Sequence, residues 1–228
     1  MTTLDRSRPR IWDTDWLLLR QLVHVIRKET SSAFRPGQTL LDLGCVDMPY
    51  REIIENEGIR YLGADIDGRA DIRISQDGKV DVPDHSIDAV LSVQVLEHVR
   101  DLDSYCCEIH RLLRPDGTLF LSTHGTWLYH PHPEDHRRWT RTGLIHDLET
   151  RGLHGKEMRG FVGPLATTTM LRLTGYAYVL RKLPVVGRFL ARIIAVIMNL
   201  RGLMEDCITS AQMCMDNACV YWVKARPV

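Results

Sequence analysis

The sequence predicts an α/β protein with a doubly wound, mostly parallel sheet, and three observations carry that expectation. Strand-like and helix-like segments alternate along the chain, the links between them are short, and the composition suits a packed core. A length of 228 residues fits one domain with an elaboration, and 44% hydrophobic with 25% charged residues is ordinary globular usage.

The elements follow in order. Residues 15–32 carry Trp16, Leu19, Val23 and Ile26 at helical spacing, and Arg35-Pro36-Gly37 ends that helix. An apolar strand over 39–44 ends in Gly44, a helix covers 49–57, and a second strand over 59–66 carries Asp65. Residues 72–74 suit a short third strand and 86–93 a fourth. A helix over 101–113 has Asp101 as N-cap, and the turn 114–117 leads into a strand over 118–123. A helix over 140–151 and a strand over 154–161 follow. Two helices, 165–183 and 188–203, are separated by Pro184 and Gly187, and a last strand over 218–225 is rich in Val, Tyr and Trp. The expected layout is one domain over 1–228, with an N-terminal helical cap at 1–36 and a helical insert at 164–215.

Charge excludes some partners. The 29 basic and 29 acidic side chains cancel, so no nucleic acid or strongly acidic partner is expected. Six cysteines without a CxxC pair read as reduced thiols of a cytoplasmic protein, Cys106 and Cys107 diverging on their helix. The first sixteen residues lack the apolar stretch of a secretory leader, and the apolar run 193–198 is far below the roughly 20 residues of a membrane span. A soluble protein is expected.

In a doubly wound sheet, ligands bind beyond the carboxyl ends of the strands. Gly44 ends the first strand, and Asp65 follows 21 residues later, ahead of Ile66 and Asp67. A glycine lets a ligand approach the backbone, and an acid at that spacing can accept from two ribose hydroxyls. The absence of GxGxxG and of a P-loop argues against a nicotinamide dehydrogenase, and Asp47 beside the turn would repel a phosphate.

Five blocks in order carry a family resemblance: LeuLeuAspLeuGlyCys (40–45), GlyAlaAspIle (63–66), SerIleAspAlaVal (86–90), ValLeuGluHisVal (95–99) and LeuArgProAspGlyThrLeu (113–119). Over 39–125 the chain resembles the class I S-adenosylmethionine-dependent methyltransferases, in the small-molecule branch of type 11. The resemblance implies a Rossmann-like seven-stranded sheet, order 3-2-1-4-5-7-6, its last strand antiparallel, with the helical insert before that strand. It implies S-adenosyl-L-methionine as cofactor and S-adenosyl-L-homocysteine as product. The cofactor residues it implies include Asp42, with Gly44 and Cys45 at the methionine end, Asp65 on the ribose and Ile66 on the adenine. It also implies Asp77 near the adenine amine, and Ser92 and Gln94 in the cleft. Where the branch usually reads AspXaaGlyCysGly, this chain has Val46 in place of the second glycine, and a β-branched residue resists positive φ. Asp47-Met-Pro-Tyr50 looks like the motif of amino-group DNA methyltransferases but follows the wrong strand.

Methyl transfer to a hydroxyl needs a placed nucleophile and often a base, and histidine suits that role. Four of ten histidines, His124, His130, His132 and His136, fall within thirteen residues directly after the fifth strand. His124, nearest the strand end, is the first candidate base, with His98 and His136 behind it. The plainer reading of the loop is that Asp135 pairs with Arg138, Trp139 packs, and some histidines are solvated. No metal is expected: His130-Pro131-His132 makes a strained ligand pair, and no ordinary zinc spacing occurs. A GluXaaXaaGluHis segment of the ubiquinone-biosynthesis O-methyltransferases is similar to 94–98, but Gln94 replaces its first acid.

Residues 160–204 hold six basic side chains and no acid. The helix 188–203 is expected to bury Phe189, Ile193, Val196 and Leu200, with Arg188, Arg192 and Asn199 on its other face. The insert then reads as a cap over the cleft or a homodimer surface, or as a contact for a membrane or a lipid-linked or phosphorylated substrate. HisProXaaProXaaAsp at 130–135 and the insert loosely resemble methyltransferases of saccharides and secondary metabolites. The expected function is O-methylation of a small-molecule, saccharide or other secondary-metabolite acceptor. The competing expectation is a non-catalytic cofactor-binding subunit, motivated by Val46 and Gln94.

Overall fold

A computed structural model describes residues 5–66, 69–132 and 134–228; Asp67 after the second strand, Pro133 of the histidine loop and the first four residues of the N-terminal cap lie outside the described residues. Seven strands pair in the order β3-β2-β1-β4-β5-β7-β6, the order the resemblance implied. They are β1 (Thr39–Leu43), β2 (Arg60–Asp65), β3 (Ile72–Arg73), β4 (Ile87–Val93), β5 (Leu113–His124), β6 (Leu153–Phe161) and β7 (Val220–Pro227). β7 runs antiparallel to both β5 and β6, and the remaining pairings are parallel.

The helices are α1 (Trp16–Ala33), α2 (Arg51–Glu55), α3 (Leu102–Leu112), α4 (Arg141–Glu149), α5 (Pro164–Leu180), α6 (Gly187–Ile208) and α7 (Ala211–Asp216). Successive strand residues point to opposite faces, so each strand feeds two cores. Leu40, Leu91, Phe120 and Trp222 pack with α1, α2 and α5 on one face. Their neighbours Leu41, Val90, Leu121 and Val223 pack with α3 and α4 on the other. The N-terminal helix is thus a layer of the domain: Leu17, Leu22 and Ile26 are buried in the first core, and Glu29 takes Lys224 Nζ of β7 at 2.8 Å.

Caps fall where the side chains allow. Asp101 accepts from the backbone N–H groups of Asp103 and Ser104 and starts α3, and Thr140 accepts from Gly143 to start α4. The expected turn at 114–117 is instead a bulge inside β5. Pairing passes from Ile87↔Leu113 to Ala89↔Thr118, and Arg114 Nη1 ties the bulge to Asp88 Oδ1 at 2.6 Å. The short helix α7 lies where the sequence predicts no element; Ser210 caps it by accepting from the Met213 N–H.

The face of α6 overturns a further expectation. The buried face of α6 consists of Gly187, Ala191, Ala195, Asn199 and Gly202, while Phe189, Ile193 and Leu200 stand in solvent. Small residues let α6 approach α1 closely: a Cβ on Gly202 would stand 3.3 Å from Leu17 Cδ2. Asn199 turns inward because its Nδ2 donates to the carbonyls of Ile11 (2.7 Å) and Asp13 (2.9 Å). Periodicity locates an apolar stripe but does not say which way it faces.

Candidate active site

The carboxyl ends of β1, β2, β4 and β5 open onto a cavity of about 950 Å³, within the range of small-molecule sites. Gly44, Val46, Asp65, Ile66, Asp77, Gln94, His98 and His124 line it, so eight of the residues singled out in the sequence converge. Leu18 and Leu19 of α1 and Tyr105 of α3 complete the wall.

Gly44 has φ +81°, and a Cβ there would come within 2.5 Å of Val95 Cγ2, so both conformation and space require glycine. The chain then turns through Val46 at φ +49°, an uncommon conformation for a β-branched residue. The Val46 N–H donates to Asp65 Oδ2 at 2.8 Å, which fixes the buried carboxylate at the cavity edge. Ile66, more than half exposed, offers an apolar platform beside it. Asp77 accepts from the Ser75 hydroxyl, which together with nearby backbone N–H groups and Lys79 holds its carboxyl below the ordinary value.

Gln94 also has positive φ, +59°, and its N–H donates to Ser122 O at 2.9 Å, closing the end of β4 against β5. Its Nε2 is buried without a hydrogen-bond partner. A buried amide donor left unmade is costly, so this atom is suited to a ligand acceptor in the cavity. The glycine cradle, the carboxylate, the apolar platform and this donor together fit a nucleoside cofactor with a polar amino-acid tail.

His124, at the end of β5, is buried and places Nδ1 2.6 Å from Glu97 Oε1. The approach lies off the line of a well-aligned hydrogen bond, so the carboxylate faces the imidazole edge at contact distance, and among the described residues neither atom has another hydrogen-bond partner. The Thr123 hydroxyl donates to Glu97 Oε2 at 2.8 Å. Burial raises the Glu97 carboxyl, but the His124 contact, the local backbone and Thr123 outweigh it and hold it below the usual range. Trp127 stacks on His124, rings 5.9 Å apart and inclined by 7°.

His98 Nδ1 lies 2.6 Å from the Glu134 carbonyl, which can only accept, so this nitrogen carries a proton and in the neutral ring Nε2 is the acceptor. His130 and His132 also reach the cavity; burial, then the neighbouring His132, His124 and His98, lower the His130 imidazole. The plainer reading of the loop holds beside this: Arg138 grips Asp135, keeping its carboxyl at about 2, and buried Trp139 donates to Asp147 at 2.9 Å.

Four expected site residues stand elsewhere. Asp42 is buried behind β1 and accepts from the Tyr61 hydroxyl at 2.6 Å. Cys45 is buried, its thiol pushed up to about 12 by burial and then by Asp42 and Asp65. Ser92 accepts from the Tyr105 hydroxyl at 2.6 Å beneath the cavity floor. His136 turns to Glu134 at 3.2 Å and does not line the cavity. Sequence reasoning missed Glu97 as the partner of His124 and Trp127 as its stacking surface; only the acid beside His98 and the aromatic in the loop hinted at them.

The sheet order, the glycine elbow after β1 and the acid ending β2 define the fold class of the S-adenosylmethionine-dependent methyltransferases. The chain belongs to the methyltransferase domain family, whose model matches residues 18–159. It is 28% identical over 141 residues to a probable S-adenosylmethionine-dependent methyltransferase of Mycolicibacterium smegmatis, covering 54% of this chain and 55% of that protein. It is 34% identical over 101 residues to a sterol 24-C-methyltransferase of Gibberella zeae, covering 36% of this chain and 27% of that one. The chain thus spans about half or less of these relatives. Its fold is similar to that of phosphoethanolamine N-methyltransferase 2 of Haemonchus contortus, solved with S-adenosyl-L-methionine. There the TM-score is 0.57 at 14% identity, over 95% of this chain and 56% of that one.

Proposed function

We propose that this chain transfers a methyl group to a hydroxyl of a small-molecule or saccharide acceptor, with His124 as general base and Glu97 as its positioning partner. The observation that carries the reading is the 2.6 Å contact between His124 and Glu97 on the cavity wall. When bound, S-adenosyl-L-methionine supplies an electrophilic methyl on a positively charged sulfur. Gly44 and Val46 shape the backbone against the cofactor, Asp65 accepts from the ribose, Ile66 packs on the adenine, and Gln94 donates from the cleft. Asp77 stands at the adenine end of the same wall.

The Glu97 carboxylate beside Nδ1 favours the tautomer that carries its proton there, which leaves Nε2 to accept the acceptor's hydroxyl proton. His98, whose Nε2 is the acceptor in the neutral ring, is the alternative proton acceptor across the same cavity. Trp127 fixes the His124 ring and shields it from water. The test is methyl transfer from labelled S-adenosyl-L-methionine to a panel of hydroxylated acceptors, preceded by calorimetry with NAD as control. Micromolar binding of the sulfonium compound alone, with turnover lost in His124→Ala, is the expected result.

A second reading, a non-catalytic cofactor-binding subunit, is favoured by Val46 at a position where its side chain stands exposed on the cavity rim. Tight cofactor binding with no turnover on any acceptor, alone or with a partner chain, would select it.

A further inference from the structure

We propose that the outward face of the α5–α6 hairpin docks this protein onto an anionic lipid surface. On α6, Phe189, Ile193, Ile197, Leu200, Met204 and Ile208 recur at steps of three or four residues and form one stripe. Each of them is between 41% and 76% exposed. The stripe begins at the hairpin tip, where Leu183, Val185 and Val186 also stand in solvent, Val185 completely so. Val185 has φ +59°, a strained conformation for a β-branched residue at a place where no packing demands it. Val179 and Tyr176 extend the apolar surface along α5.

Charge selects the occupant. Arg172, Arg181, Lys182, Arg188 and Arg192 are exposed around this surface and, among the described residues, make no ion pair. Arg201 alone is paired, with Glu205 at 2.7 Å. The acids of α6 turn inward: Glu205 takes the Thr169 hydroxyl, and Asp206 takes the Gly163 N–H and the Gln21 amide. Two copies of this face would oppose like charges across their contact. An anionic bilayer offers an apolar phase for the stripe and negative headgroups for its cationic rim, the pattern of helices that lie in the interface. Among the described residues no helix is long and apolar enough to cross a membrane, so the hairpin would lie on the surface. Docking would also bear on the cavity: α6 holds the carbonyls of Ile11 and Asp13 through Asn199, next to Asp15, Leu18 and Leu19 of the cavity wall.

The experiment is flotation of the purified full chain with vesicles of phosphatidylcholine mixed with phosphatidylglycerol, and of phosphatidylcholine alone. Binding is expected to the mixed vesicles only, and to weaken as salt is raised. Arg188→Gln and Arg192→Gln should each reduce the partition about fivefold. Val185→Asp and Phe189→Asp should abolish it with circular dichroism and cofactor affinity unchanged, because both side chains are exposed. No flotation with mixed vesicles, or equal flotation by all four variants, would overturn the proposal. A dimer in sedimentation velocity that Phe189→Asp dissociates, without lipid binding, would assign the face to a second copy and overturn it equally.

Discussion

His124 and Glu97 meet at 2.6 Å although they belong to different strand ends, His124 closing β5 and Glu97 lying in the single 3-10 turn (Leu96–His98) after β4. Their side chains are almost wholly buried, so the carboxylate is there to orient and balance the imidazole rather than to meet solvent. Removing the charge while keeping the shape isolates that role. Glu97→Gln is expected to lower kcat by roughly 10- to 100-fold, within the range general-base catalysis supplies, while calorimetric affinity for S-adenosyl-L-methionine stays unchanged. An equal loss of cofactor affinity would instead make Glu97 part of the binding wall.

The cofactor assignment rests on Asp65 and is separable from catalysis. Asp65→Ala removes the acceptor that holds the Val46 N–H and the carboxylate proposed for the ribose. A lost charged hydrogen bond costs about 1.5–3 kcal/mol, so affinity should fall at least tenfold. Unchanged calorimetric affinity in this variant would sink the ribose assignment.

Val46 makes the opposite prediction. Its positive φ costs a non-glycine residue on the order of 1 kcal/mol, and its side chain stands on the cavity rim. Val46→Gly clears the rim and lets the loop settle against the cofactor without that strain, so cofactor binding should tighten by up to about fivefold. If affinity instead falls, the valine side chain is a contact for the cofactor and not an obstacle to it.

Much of this was legible in the sequence, for identifiable reasons. Strand ends such as Gly44 and Asp65 are set by backbone geometry, and a short motif records that geometry. The His124–Glu97 pair joins residues 27 apart through two strand ends, and no local pattern encodes such a meeting. The face of α6 failed for another reason. Its apolar stripe and its small-residue stripe share the same period, and close packing chose Ala191, Ala195 and Gly202 over the larger side chains. Ser92 and Asp42 sit near strand ends, on opposite faces of the sheet, and each is taken up by a tyrosine hydroxyl instead of lining the cavity; those long-range partners, Tyr105 and Tyr61, are set only once the register is known.

Asp42 gives the fold a pH dependence of unusual sign for a carboxyl group. Burial pushes its carboxyl up to about 7, against the pull of the Tyr61 hydroxyl and Arg6, with Asp65 adding to the rise. Below its ordinary value of 3.8 the folded and unfolded chains both hold the proton. Between that value and about 7 the unfolded chain has released it and the folded chain has not, so this group's contribution to stability falls as pH rises. The slope approaches about 1.4 kcal/mol per pH unit, and above the folded value the penalty stays constant. Asp42→Asn keeps an acceptor for Tyr61 and removes the titration. Urea midpoints at pH 5.5 and 8 should therefore differ less in the variant than in the parent chain, the variant gaining most at pH 8. An identical pH dependence in both proteins would show that Asp42 is ionised throughout that range.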